Sequence, residues 1–189
     1  FFLFGSRDVW FVVGLPVFLY EVLGWSFTQV GAFMAIWIIG YGIVQASAPK
    51  LLRRSHAGTG PGGGTAQFWA FLLAIFPAGI ALGLQQGWPQ ETVIVTGLIL
   101  FGVVFAINSA VHSYLILAYS DQEKVSMNVG FYYMANAGGR LAGTVLSGWV
   151  YQQHGLEGCL WWSAGFVLAA ALLSVGLPAV RSGPASASH

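Results

Sequence analysis

The sequence predicts an all-α membrane protein with six transmembrane helices. Of its 189 residues, 57% are hydrophobic and only 7% are charged, and the mean hydropathy is +0.73. A soluble domain of this length needs more polar surface than these residues supply. The apolar residues also fall into six segments, each close to the roughly 20 residues that cross a hydrocarbon core as a helix.

Gly, Pro and polar clusters separate the six segments. The segments cover about residues 6–20, 28–48, 65–84, 92–119, 126–151 and 158–180. Backbone groups in lipid must be hydrogen-bonded within their own segment, and the scattered small residues do not alternate as in barrel strands, so the segments are predicted to be helices. Gly14 and Pro16 predict a kink or an unwound turn in the first helix.

The basic residues of the loops orient the predicted bundle. The loops on one side contain six of them, namely Arg7, Lys50, Arg53, Arg54, Lys124 and Arg181. The opposite loops, at residues 21–26, 85–91 and 152–157, contain no Lys or Arg. Because positive charge accumulates on the cytoplasmic side, both termini are assigned to the cytoplasm.

The chain is predicted to divide into four parts. Residues 1–54 carry the first two helices and residues 66–180 carry the other four. The glycine-rich run SHAGTGPGGGT, at 55–65, predicts a flexible cytoplasmic loop, and residues 181–189 predict a disordered cytoplasmic tail. The chain opens on Phe1 with neither an initiator Met nor a charged leader, so we expect a fragment.

A polar stripe crosses the fifth predicted helix. Asn128, Tyr132, Asn136 and Arg140 recur every four residues and therefore share one helix face. A charge near the bilayer centre costs roughly 2.5–3.5 kcal/mol and faces a bundle interior or an aqueous cavity. A guanidinium binds oxyanions through paired donors. We predict that the stripe binds a small anionic substrate; the alternative is that Arg140 only ties two helices together.

A second polar cluster lies on the fourth predicted helix. Asn108 and His112 are four residues apart, with Ser109 and Ser113 beside them. If they face the stripe, they are predicted to bind hydroxyl or carboxylate groups of the substrate, and His112 is able to take up a proton. Hydrogen bonding between helices without any ligand is the alternative for both residues.

Arg7 and Asp8 open the first predicted helix. Adjacent residues point in different directions on a helix, so the two side chains are not expected to share a face. Arg7 is interpreted as a cytoplasmic boundary anchor, with gating as the alternative. Asp8 is the acidic residue expected inside the membrane, so proton coupling within this chain would fall to Asp8 or His112. A carboxylate outside the chain is the other candidate.

The sequence gives no support to an enzyme. It contains no G-x-x-x-x-G-K-[ST] loop, no HxxxH pair and no assembled serine, histidine and acid set. We therefore predict neither catalytic residues nor a metal, cofactor or nucleic acid. The expected partners are a small anion and the lipid bilayer.

A basic run follows the second predicted helix. The run is QASAPKLLRR, at residues 45–54, and its Lys50, Arg53 and Arg54 match the basic positions of the loop motif of major facilitator superfamily transporters. Pro49 stands at the Asp of that motif, and Gln45 and Leu52 stand at its glycines. Together with six helices and cytoplasmic termini, this resembles the C-terminal half of such a transporter. The resemblance implies a twelve-helix fold in which a missing N-terminal six-helix half completes the substrate site.

Three longer strings resemble one branch of that superfamily. They are GSRDVWFVVGLPVFLY at 5–20, INSAVHSYLILAYSD at 107–121 and NVGFYYMANAGGRLAGTVLSG at 128–148. They are similar to the organoarsenical efflux permeases of bacterial arsenic-resistance operons, the ArsJ type. This resemblance implies a secondary active transporter of the bacterial inner membrane that exports 1-arseno-3-phosphoglycerate and confers arsenate resistance. Its functional partner would be the glyceraldehyde-3-phosphate dehydrogenase that makes this ester. The alternative is a carrier for another organic anion or sugar phosphate.

Overall fold

A computed structural model describes residues 1–55, 63–120 and 125–176, and these residues form helices without any strand. The helices are α1 (Phe2–Phe11), α2 (Gly14–Glu21), α3 (Phe27–Ser55), α4 (Gly63–Gln85), α5 (Gln90–Tyr119) and α6 (Val125–Val175). The predicted all-α class is confirmed. Of the predicted loop 55–65, residues 56–62 lie outside the described ranges, as does the predicted tail 181–189.

The first crossing consists of two helices, α1 and α2, which together form an apolar span over Phe2–Glu21. The helix is interrupted at Val12 and Val13, and α2 restarts at Gly14. The freed Gly14 N–H donates to Ser147 Oγ at 3.1 Å, while Pro16 lies in the first turn of α2, where a missing N–H costs little. The interruption predicted from Gly14 and Pro16 is confirmed.

The 51-residue helix α6 provides two crossings. A straight helix of that length would extend about 76 Å, more than twice the thickness of a hydrocarbon core. Gly155 interrupts it with φ 62° and ψ −164°, a conformation that favours glycine. Beyond Gly155 the chain turns back, because Cys159 Sγ lies 3.6 Å from Ser147 O. Residues 125–154 are called the first arm of α6 and residues 156–175 the second arm.

Five helical stretches among the described residues are long and apolar enough to cross a membrane. Since the last of them doubles back at Gly155, the chain makes the six crossings that the sequence predicts. The largest helix contacts join α6 to α1 and α4, and α5 to α4 and α3. α3 lies at the edge of this bundle, with only 11% of its apolar window buried.

Aromatic side chains hold α1 against α5. Trp10 is fully buried and meets Phe101 edge to face, with ring centroids 5.3 Å apart. Phe4 meets Phe105 in the same way at 6.0 Å. Such edge-to-face pairs add about 0.5–1.5 kcal/mol each to the apolar burial. These contacts fix the depth of α1 relative to α5.

Small residues let α1 approach the first arm of α6 closely. A Cβ atom on Gly143 would lie 2.6 Å from Gly5 O, and one on Gly5 would lie 3.0 Å from Gly139 O and 3.1 Å from the Phe166 ring. Gly5 therefore packs between the two arms of α6. The ridge of Ala135, Gly139, Gly143 and Ser147, interpreted from the sequence as a packing surface, meets α1 through its two glycines and meets α2 through Ser147.

Candidate functional site

Three charged residues meet where α1 contacts the first arm of α6. Arg7 Nε lies 2.6 Å from Asp8 Oδ1, and Arg140 Nε lies 3.0 Å from Asp8 Oδ2. We call Arg7, Asp8 and Arg140 the charged triad; it carries a formal net charge of +1. Arg7 and Asp8 are adjacent and their Cα–Cβ bonds point in different directions, yet they pair because the long arginine side chain reaches along the helix to the neighbouring carboxylate.

The triad lies at the middle of the bundle. Arg140 is halfway along the first arm of α6, residues 125–154. The Arg7 guanidinium lies over the ring of Phe105, 5.5 Å from its centroid, and Phe105 is at the midpoint of α5. This contact places Arg7 beside the middle of α5 and not beside one of its ends, whereas the sequence predicts a boundary anchor. The two ring contacts from Phe4 and Trp10 to α5 set α1 at this depth.

The two arginines of the triad differ in exposure. The Arg7 side chain is 14% exposed, that of Asp8 is 1% exposed and that of Arg140 is 57% exposed. A carboxylate as buried as that of Asp8 is stable only when paired, and Arg7 and Arg140 pair one oxygen each. Arg140 uses Nε for this contact. Its terminal nitrogens have no partner among the described residues, so they are free to bind an anion.

The polar stripe on α6 divides into two parts. At its start, Asn128 Nδ2 donates to Ser120 Oγ at 3.2 Å, and the Tyr132 hydroxyl lies 3.2 Å from Ser113 Oγ. These contacts tie the stripe to α5, which is the structural role weighed as the alternative for such residues. The later residues do not pair in this way: Asn136 Oδ1 is buried with no partner among the described atoms.

Asn108 and His112 lie on α5, and among the described residues neither side chain is hydrogen-bonded to the charged triad. Asn108 is fully buried, and neither its Oδ1 nor its Nδ2 has a partner in the described part of the chain. His112 Nδ1 lies 2.9 Å from Asn108 O, one turn earlier in the same helix. Orphaned amide atoms in a buried position are costly. Asn108 is thus a buried amide whose hydrogen-bonding groups are not satisfied by the described residues.

Two further polar residues, Tyr41 and Gln45, line this region from α3, and they were not among the predicted site residues. The Tyr41 ring stacks on Trp37 at 5.6 Å and lies 5.8 Å from that of Phe105. The Tyr41 hydroxyl lies beside Ser109. Gln45 Nε2 donates to the hydroxyl of the same serine at 3.2 Å. The signal was the spacing of four residues between Trp37, Tyr41 and Gln45.

The arrangement offers donors for an anion at the centre of a membrane-embedded bundle. Guanidinium, phenol and amide groups come from α1, α3, α5 and α6, with Arg140 the most exposed of the charged ones. Among the described residues, no three His, Cys, Asp or Glu side chains gather into a metal site. Polar and charged groups in the interior of a bundle of apolar helices are typical of a multi-pass membrane protein with a polar pathway.

Comparison with known proteins gives the family. The Major Facilitator Superfamily profile matches residues 1–188 of the chain, so the chain belongs to the major facilitator superfamily. Members of this superfamily are secondary transporters and not enzymes, so the chain is identified as a secondary transporter of this superfamily. Neither a curated protein nor a solved structure gives a significant match.

Proposed function

We propose that this chain is the C-terminal half of a twelve-helix secondary transporter that exports 1-arseno-3-phosphoglycerate across the bacterial inner membrane. The observation that carries the proposal is the exposed guanidinium of Arg140 at the middle of the bundle, inside a triad of net charge +1. A cargo with two oxyanion groups needs a positive group at the centre of its path. Arginine supplies that charge at any cellular pH together with paired donors.

The exposure of Arg140 also supports a second six-helix half. A guanidinium that is 57% exposed at mid-depth cannot face lipid without a large cost. The face that contains Arg140 therefore opens on water or on protein. Transporters of this architecture place the substrate between two six-helix halves at the bilayer midplane. A cavity between two such halves would surround Arg140 with water and protein instead of lipid.

The arsenical identity of the cargo depends on the resemblance of three segments to organoarsenical efflux permeases. The chemistry of the site fits it in one respect. The single cysteine, Cys159, is buried and directed at Ser147 O, so the described residues offer the cargo no thiol. A pentavalent arsenate ester is bound like a phosphate, through oxygen atoms, and needs none. A functional link to a glyceraldehyde-3-phosphate dehydrogenase follows, since that enzyme forms the ester from arsenate.

The test is arsenate tolerance and arsenic retention in arsenic-sensitive bacteria that express the full-length transporter with the dehydrogenase. Arg140→Ala is compared with wild type at matched membrane levels. Thr144→Ala is the control, because this partly buried residue lies one turn further along α6 and, among the described residues, its hydroxyl donates to Arg140 O alone, at 2.9 Å. Losing a charged hydrogen bond to the cargo should weaken its binding roughly 10- to 150-fold.

We expect tolerance that requires the dehydrogenase, persists in Thr144→Ala and disappears in Arg140→Ala. Tolerance that is undiminished in Arg140→Ala would contradict the role of the guanidinium. If well-expressed wild type gives no tolerance, the arsenical cargo is wrong. The same triad would then indicate a carrier for another organic anion or a sugar phosphate, because phosphate and carboxylate groups present the same oxyanion chemistry to Arg140.

A further inference from the structure

We propose that Asp8 is an internal competitor of the cargo. Its carboxylate pairs with the Arg140 guanidinium when the site is empty, and the oxyanion of the cargo displaces it. The inference depends on the proposed function, since it concerns the regulation of the same anion site. It gives Asp8 a role other than that of a proton carrier or a simple helix tie. The Arg7–Asp8 pair is the permanent contact, and the Asp8–Arg140 pair is the exchangeable one.

The geometry of the two ion pairs differs in the way this role requires. The contact to Arg7 is 2.6 Å long and involves a side chain that is 14% exposed. The contact to Arg140 is 3.0 Å long and involves a side chain that is 57% exposed. Arg7 is also held over the Phe105 ring, which stabilises its cation. Arg140 has no comparable second contact among the described residues, so it is the arginine that an incoming anion can reach.

The charge balance of the triad permits the exchange. A buried carboxylate without a partner costs several kcal/mol, so Asp8 must keep one guanidinium at all times. When the cargo takes Arg140, the buried Arg7 still neutralises Asp8. When the cargo leaves, Asp8 returns to Arg140. No charge is left unpaired in either state, and a transporter that has to bind and release its cargo benefits from such a competitor.

Competition lowers the affinity for the cargo by a predictable relation. If Asp8 occupies Arg140 in most empty transporters, the measured affinity is reduced by the fraction in which Arg140 is free. Removing the carboxylate should restore the affinity of the free guanidinium. Couplings between two sites typically correspond to about 5- to 150-fold in affinity. We expect Asp8→Asn to bind a phosphorylated anion more tightly by a factor in this range.

The experiment uses the purified full-length transporter and 3-phosphoglycerate, a stable anion, as the probe in isothermal titration. Three variants are compared with wild type. Asp8→Asn removes the competitor and raises the net charge of the triad to +2. The double variant Arg7→Gln/Asp8→Asn also removes the competitor but keeps the net charge at +1, and it leaves no buried guanidinium unpaired if Asp8→Asn alone folds poorly. Glu21→Gln, an exposed residue at the end of α2, changes the charge by the same single unit far from the triad.

We expect both variants that lack Asp8 to bind the probe more tightly than wild type, while Glu21→Gln matches wild type. If the double variant binds no more tightly than wild type, the net charge governs the affinity and the competitor role is overturned. If wild type binds the probe and Asp8→Asn does not bind it more tightly, the inference fails while the proposed anion site stands. If neither wild type nor any variant binds 3-phosphoglycerate, the proposed anion site fails together with the inference.

Discussion

Replacing Gly143 by alanine tests the close approach that holds the triad together. Gly143 lies on the first arm of α6, directly against α1. An added Cβ would be 2.6 Å from Gly5 O, 3.1 Å from Gly5 Cα and 3.2 Å from Asp8 Cβ. The backbone of α1 cannot rotate away as a flexible side chain can. To restore a contact of 3.4 Å with the carbonyl oxygen, from 2.6 Å, α1 must move by about 0.8 Å.

A shift of this kind in a well-packed interface typically costs about 1–3 kcal/mol. The same shift would move Asp8, which lies against the new methyl group, relative to Arg140. Gly148→Ala is the matched control, since a Cβ there meets nothing within 4 Å. Both substitutions gain helix propensity, up to about 1 kcal/mol for Gly to Ala. Their difference therefore isolates the contact with α1.

The assay titrates dodecyl sulfate into mixed micelles that contain the purified full-length transporter and measures its unfolding. We expect the free energy of unfolding of Gly143→Ala to lie at least about 1 kcal/mol below that of Gly148→Ala. Equal stabilities for the two variants would refute the reasoning. That result would mean that α1 and the first arm of α6 are not packed at the distance described.

Two further predictions concern hydrogen bonds that cross the bundle. Ser147→Ala should lower the free energy of unfolding by about 1–3 kcal/mol, because the Gly14 N–H loses its acceptor. The control Ser163→Ala should leave the free energy of unfolding unchanged or raise it, since the Ser163 hydroxyl is buried without a described partner. Equal losses for the two variants in the same micelle assay would contradict this prediction. Trp37→Phe removes the 2.9 Å hydrogen bond from Nε1 to Leu98 O, which should cost about 0.6 kcal/mol, the average for such bonds in membranes. Hydrogen exchange of the α3 amides should become faster in this variant. Unchanged exchange would contradict the role of Trp37 in holding α3 against α5.

The helix count and the break in the first crossing were predictable because their causes are local. Each crossing is a run of apolar residues long enough for the hydrocarbon core, and Gly14 with Pro16 weakens the helix where they stand. The reversal in α6 was also predicted, as a loop at 152–157. At Gly155 the structure keeps the flanking residues helical on both sides, so the turn is tighter than the predicted loop.

The partners of Asp8 were not predictable, because they depend on tertiary contacts and on long side chains. Arg140 is 132 positions away along the chain. Arg7 is the next residue, and helical spacing alone predicts that the two do not meet. Periodicity gives the direction of a Cα–Cβ bond, whereas the four-bond arm of an arginine can return along the helix to its neighbour.

The contribution of α3 was missed for a different reason. Tyr41 and Gln45 follow Trp37 at steps of four, so a polar and aromatic stripe was present in the sequence. The isoleucines around it, Ile36, Ile39 and Ile43, are exposed on the other side of the helix. Their hydropathy dominates that of the segment, so the sequence predicts a membrane crossing there but not a polar face. Knowing which face of α3 meets α5 required the bonds from Trp37 to Leu98 and from Gln45 to Ser109.

The most direct test of the anion pathway is transport into everted membrane vesicles that contain the full-length transporter. The dehydrogenase, its nucleotide, glyceraldehyde 3-phosphate and arsenate are added outside, and arsenic inside the vesicles is measured over time. We predict uptake that depends on every added component and is lost in Arg140→Ala but kept in Thr144→Ala. Equal uptake by wild type and Arg140→Ala would contradict the central claim that the cargo passes the exposed guanidinium at the middle of the bundle.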